Sequence, residues 1–212
     1  MTVISVKRGA DPDLLKIGLS DGSLFFIRLC YLPKAITSRL EPFLSQGGAI
    51  NVAISEEEQE ALLYASECVR LERKALQLIG RAEQSRQGLQ YKLEGQNSSE
   101  GAAKTVLDRL VALDLVNDRR FTAAWINAQL GRTKTKSASQ LISGLMRRGI
   151  DGQVATELVK ELYPAELETE AIRAYLHKKR INSGALSSFE LKQILHRAHF
   201  SKKAISLFID KE

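Results

Sequence analysis

Apolar residues recur along this chain in two rhythms. Over the first 54 residues they come in short runs: Val3-Ile4-Ser5-Val6, Leu14-Leu15-Lys16-Ile17-Gly18-Leu19 and Ser23-Leu24-Phe25-Phe26-Ile27-Arg28-Leu29. Asp21-Gly22 between the last two supplies a tight hairpin turn, so the spacing predicts three strands ending near Pro33. Residues 34–44 read as a short helix interrupted by Pro42, and Gly47-Gly48 as a loop. Three short strands bury little by themselves, so this leader is expected to pack on a helical body.

From Ser55 the period becomes helical. Ser55 and Glu58 form a capping-box pattern, opening a helical stretch to about Glu83 that is broken only by Gly80. Helices are then predicted at 86–94, 98–115, 118–130, 137–148, 151–162, 164–179, 187–197 and 201–210. Within them Leu89-x₃-Leu93 recurs as Leu141-x₃-Leu145 and as Leu191-x₃-Leu195, at a spacing close to constant. Each pair precedes a second apolar run: Ala102/Val106/Leu107/Leu110, Val154/Leu158/Val159/Leu162 and Ala204/Leu207/Phe208. Repetition at this period predicts tandem small helical modules that present a long surface.

The second module shows the logic most clearly. Asn117 or Asp118 caps a helix whose Phe121, Ala124, Trp125 and Ala128 are expected on one buried face. Leu141, Ile142 and Leu145 point inward from the next helix, Gly149 ends it, and Asp151 caps a third. Pro164 fits the first turn of the following module. Trp125 and Tyr175 each precede their Leu-x₃-Leu pair by the same interval and are expected in equivalent core positions. The fold class expected is mainly α: three tandem three-helix-bundle repeats in an elongated array behind a β-rich leader. Boundaries fall at 1–54 for the leader, 55–115 for the long helix and first repeat, 116–163 for the second and 164–212 for the third.

Composition adds limits. The chain has 212 residues, 44% hydrophobic and 26% charged, as in globular proteins, with 31 basic and 25 acidic side chains giving a net charge of +6. That excess makes an anionic partner plausible. No apolar stretch approaches the ~20 residues that span a bilayer, and the first residues lack the order of a signal peptide. A cytoplasmic protein with no membrane partner is expected. Cys30 and Cys68 leave one disulfide open, although two thiols in a helical chain fit a reducing compartment better.

Assembled chemistry is not legible. Gly131-Arg-Thr-Lys-Thr-Lys136-Ser137 lacks the second glycine and the preceding strand of a phosphate-binding loop. His196 and His199 have no metal-ligand partner at suitable spacing, and His199 aligns with the helix-ending Gly149. The remaining carboxylates are scattered at helical intervals, as on solvated faces. No catalytic residues, metal or cofactor are expected.

One charge feature stands apart. From Arg119 through Ile150 there is no Asp or Glu, while Arg119, Arg120, Arg132, Lys134, Lys136, Arg147 and Arg148 are all cationic. A smaller cluster, His177-Lys178-Lys179-Arg180, follows the first helix of the third module. These cations read either as a solvated basic face or as an anion-facing patch. Base readout by the third helix of each module is disfavoured, because that of the second carries Asp151, Glu157 and Glu161 against Lys160.

The order Arg81-x₃-Ser85-x₃-Leu89-x₃-Leu93, then Leu110-x₄-Leu115-Val-Asn-Asp-Arg-Arg-Phe121, then Leu145-x₃-Gly149-Ile150 resembles the RecX family of bacterial recombination regulators. The resemblance covers residues 66–212, and Gly88 and Thr122 depart from it, where the family usually has an acidic residue and Ala. It implies tandem three-helix repeats and no enzymatic activity. It further implies binding in the groove of the RecA recombinase filament on DNA, restraining ATPase and strand exchange in repair, homologous recombination and the SOS response. The expected partners are therefore that filament and, weakly or indirectly, single-stranded DNA, bound by a monomer. Contact residues rest on charge alone: Arg119, Arg120, Arg132, Lys134, Lys136, Arg147, Arg148, Lys178, Lys179 and Arg180. The alternative is a non-catalytic helical protein that binds DNA directly through the same basic patch.

Overall fold

In a computed structural model of the chain, residues 2–9, 11–46, 49–95, 98–132 and 134–211 are described. The expected Gly47-Gly48 loop lies outside them. Two compact units emerge: Met1–Ala82 with Leu89–Leu115, and Glu83–Gly88 with Val116–Glu212.

The first unit carries an antiparallel sheet of β1 (Thr2–Arg8), β2 (Leu14–Leu19), β3 (Leu24–Arg28) and β4 (Ala49–Ala53) in the order β3-β2-β1-β4. The three expected strands are present. Gly22 takes a positive φ of 86° in the hairpin turn, and Asp21 Oδ1 accepts from the Ser23 amide at 2.9 Å. β4 was not legible: Ala-Ile-Asn-Val-Ala is short and follows two glycines, and its partner β1 (Thr2↔Ala53) is distant in sequence, with two strands and a helix between them. Val3, Val6, Leu15, Ile17 and Ile27 form the buried side of the sheet.

Between β3 and β4, α1 (Lys34–Gln46) runs through Pro42 instead of breaking there. The proline forgoes one bond to the Ser38 carbonyl, and both residues are exposed, so water can take that acceptor. Helix α2 (Glu56–Ile79) begins with the expected capping box. Ser55 Oγ accepts from the Glu58 amide at 3.2 Å, and Glu58 Oε2 accepts from the Ser55 amide at 2.9 Å. It ends at Gly80, short of Glu83. Leu62, Ala65, Cys68, Val69, Leu71 and Ala75 form its buried stripe, packed along β3 and α4 (Ala102–Ala112). Leu89 and Leu93 of α3 (Arg86–Glu94) are fully buried, as are Val106, Leu107 and Leu110 of α4. Both cysteines are free.

A part-buried polar network centred on buried Glu72 ties this unit together. Glu72 accepts from Arg28 Nε at 2.9 Å and from the Tyr31 hydroxyl at 2.8 Å. Arg28 also donates to Asp11 at 2.5 Å, and Arg109 of α4 donates to Asp13 at 3.2 Å. Burial, and then the bond to Glu72, push the Tyr31 hydroxyl well above the usual phenol range.

The second unit contains α5 (Asp118–Arg132), α6 (Ala138–Met146), α7 (Gly152–Leu162), α8 (Ala165–Lys179), α9 (Ser188–Arg197) and α10 (Lys202–Ile209). Stretches read as the second and third repeats contribute to one core, from Ile126, Leu141 and Leu145 to Leu191, Leu195 and Phe208. All three Leu-x₃-Leu pairs are buried. Two predicted faces need correction. On α5, Thr122 and Ile126 are buried, Phe121 and Trp125 flank them, and Ala124 and Ala128 are exposed. On α7, Ala155, Leu158 and Val159 are buried while Val154 and Leu162 are exposed. On α5 the inward stripe lies one position from the expected one; on α7 Leu158 and Val159 point inward as expected, and Ala155 takes the place of Val154 and Leu162. Small or polar residues at these positions (Thr122, Ala155) weaken the periodic signal. Pro164 stands at the cap of α8, one residue before the helix.

Four helices end alike, two of them α6 and α9. A left-handed residue (Asp114, Gly149, Arg180 or His199) is followed by an amide donating five residues back, as Ile150 does to Leu145 at 3.2 Å and Phe200 to Leu195 at 3.1 Å. At the opposite ends, Glu168 of α8 is buried and joins two helix starts. Its Oε1 accepts from the Ala138 amide of α6 at 2.8 Å and the Ser201 amide before α10 at 3.3 Å, and its Oε2 accepts from Ser201 Oγ at 2.5 Å. Among the described residues no helix is long and apolar enough to cross a membrane.

Candidate anion-binding face

Helices α5 and α6 present the acid-free window. Ser137 caps α6, accepting from the Gln140 amide at 3.3 Å, while the Gln140 side chain returns to the Ser137 amide. That box fixes Lys136 at the helix entrance. At the exit, Arg147 is the capping residue, and its Nε donates to the Ser143 carbonyl at 3.3 Å. Lys136 and Arg147 therefore bracket one side of α6.

A groove of about 390 Å³ runs between them, lined by Lys136, Ser139, Gln140, Ser143, Arg147 and His199. Two basic side chains, an imidazole, two hydroxyls and an amide face it, and no carboxylate does. Such a lining can donate to phosphate or carboxylate oxygens from several directions. Lys136 is steered by neighbours: its Nζ donates to Gln129 at 2.7 Å and lies 5.6 Å from the Trp125 ring centroid. Arg148 stacks on the same indole at 4.8 Å and donates to the Gly144 carbonyl at 2.8 Å. Trp125 thus acts as a plate that aligns two cations.

The other expected residues have different surroundings. Arg119 makes a double contact to Glu161, at 2.8 and 2.7 Å, and Arg120 donates to Glu83 at 2.9 Å. The acids absent from the local sequence are supplied by other segments, so these two cations are locally neutralised. Arg132 and Lys134 are exposed at and after the end of α5; Lys134 borders a separate hollow with Leu130, Tyr163 and Glu170. Lys178, Lys179 and Arg180 are exposed at the end of α8 and do not line the groove. His199 was read as a turn residue, and its left-handed φ of 65° agrees, yet that same turn brings it to the groove. Nothing local in the sequence links His199 to Arg147. Among the described residues no group of three His, Cys, Asp or Glu side chains could hold a metal.

No protein-family model matches the chain. Seven curated proteins match it, each named regulatory protein RecX. The two from Treponema pallidum strains are each 26% identical over 151 residues, covering 71% of this chain and 90% of those proteins. The one from Caldanaerobacter subterraneus is 23% identical over 177 residues, covering 82% and 88%. A solved crystal structure of regulatory protein RecX superposes with a TM-score of 0.69 at 16% identity, covering 99% of this chain and 100% of that one. The mainly helical architecture with its small N-terminal sheet is therefore shared with a known fold.

Proposed function

Since this chain belongs to the RecX family of regulatory proteins, we propose that it binds the RecA recombinase filament on DNA and restrains its ATPase and strand exchange without catalysing a reaction itself. The observation that carries the reading is the groove along α6. Its cations, hydroxyls and amide converge with no opposing carboxylate, which suits either acidic side chains of a protein filament or the phosphates it wraps. Arg119 and Arg120, already paired, contribute less, since rim charges that stay hydrated and matched add little. Exposed Arg132, Lys134, Lys178, Lys179 and Arg180 would assist at longer range.

The test is a RecA ATPase and strand-exchange assay with the purified chain added at filament-coating stoichiometry. Inhibition is expected, and Lys136→Glu with Arg147→Glu should weaken it at unchanged helicity. An absence of effect by the unaltered chain overturns the regulator reading, and full inhibition by the double variant moves the contact away from this groove.

A further inference from the structure

The sheet carries a surface that the RecX reading does not use. Lys7 on β1 pairs with Lys16 on β2, and Lys16 pairs with Phe26 on β3, so the three residues form one row across adjacent strands, about 5 Å apart per step. All three are exposed. Helix α2 extends the row: the Arg73 guanidinium lies 4.9 Å from the Phe26 ring centroid, and Lys16 Nζ lies 6.0 Å from it. Phe26 opens into a shallow cleft lined by Ser66, Arg70, Arg73, Lys74 and Gln77, with Val69 as its apolar floor. No carboxylate lines this cleft.

Several of the charges here have no carboxylate partner among the described residues. Arg28, two residues along β3, is matched by Asp11, Asp13 and Glu72, and Arg70 pairs with Glu67 at 3.3 Å. Lys7, Lys16, Arg73 and Lys74 make no ion pair among the described residues. An aromatic ring flanked by cations that lack a carboxylate partner, on an open sheet, is the arrangement that takes an unstacked base on its face and the neighbouring phosphates on its rim. An acidic protein surface would use the cations but gain nothing from the ring. A duplex keeps its bases inside the stack, out of reach of a ring sitting in a cleft.

We infer that this face is a binding site for single-stranded nucleic acid, with a base on Phe26 and backbone phosphates on Lys7, Lys16, Arg73 and Lys74. The inference stands apart from the filament reading, because the site needs no recombinase. The test is fluorescence anisotropy of labelled oligothymidylate with the full chain at low salt and no recombinase present. Phe26→Leu keeps an apolar side chain but removes the ring, and should weaken binding by a factor of about 5 to 150, with Phe26→Trp restoring it. Lys16→Gln and Lys74→Gln should each flatten the salt dependence by about 0.7 log unit per log unit of salt. The site is overturned if oligothymidylate does not bind, if Phe26→Leu binds it as tightly as the unaltered chain, if Phe26→Trp is as weak as Phe26→Leu, or if duplex binding falls equally with the ring.

Discussion

Gly144 passes so closely beneath Trp125 that a Cβ placed on it would stand 2.5 Å from Cη2 of the indole. The ring is held from one side by backbone and from its faces by Lys136 and Arg148. Gly144→Ala must therefore tilt the ring or push α6 away from α5, at a cost of about 1–3 kcal/mol. Trp125 is the only tryptophan, so its emission reports the event directly. A lowered denaturation midpoint with a shifted emission maximum is expected; an unchanged spectrum would mean the indole is not confined.

Glu168 is buried yet accepts three hydrogen bonds from two helix starts. Glu168→Ala leaves those donors without an anion in a low-dielectric site and should cost about 3 kcal/mol. Urea denaturation checks this, and a change within a few tenths of a kcal/mol (about the noise of such measurements) would show that water replaces the carboxylate.

Thr122 offers the opposite case. It is fully buried on α5, and its hydroxyl finds no hydrogen-bond partner among the described residues. Thr122→Val keeps the volume and removes the orphaned oxygen, so it should stabilise the protein by about 1 kcal/mol. Destabilisation by the same amount would reveal a partner for that hydroxyl.

Acid sensitivity follows from the capping boxes. The bond from the Ser55 amide, aided by Arg39, holds the Glu58 carboxyl below its ordinary value of 4.5, and bonds from the Ser187 hydroxyl and amide do the same for Glu190. Both are lowered in the folded state, so their contribution is complete above the ordinary value and is lost as pH falls below it through the folded values. Thermal midpoints should hold from neutral pH to about 5 and then drop. Replacing both residues by Gln should flatten that drop, since Gln can cap but does not titrate; an equally steep fall in the double variant would place the sensitivity elsewhere.

Helix positions were readable because caps and breakers are local. Ser55 and Asp151 each accept from the helix they open, as expected, and Ser137 and Ser187, which the sequence places as first helical residues, do the same one position before their helices. The Leu-x₃-Leu periodicity likewise located buried faces without tertiary information. What failed to show depended on partners distant in sequence. β4 is defined by β1, the inward stripe of α5 by the neighbours that cover Thr122, and the neutrality of Arg119 by Glu161. The groove was half readable: Lys136 and Arg147 stood out by the missing acids around them, whereas His199 enters only through the folding of α9 and its end.

The carboxylate of Glu168 also decides where this chain can be divided. A fragment stopping at Tyr163, a natural cut by sequence periodicity, would keep α6 but lose the anion that receives its first amide, along with the Leu191, Leu195 and Phe208 side of the shared core. One beginning at Pro164 would retain Glu168 and strip it of one of its three hydrogen bonds. Helices α5 to α10 share one core, so a cut at either point is expected to unfold both pieces.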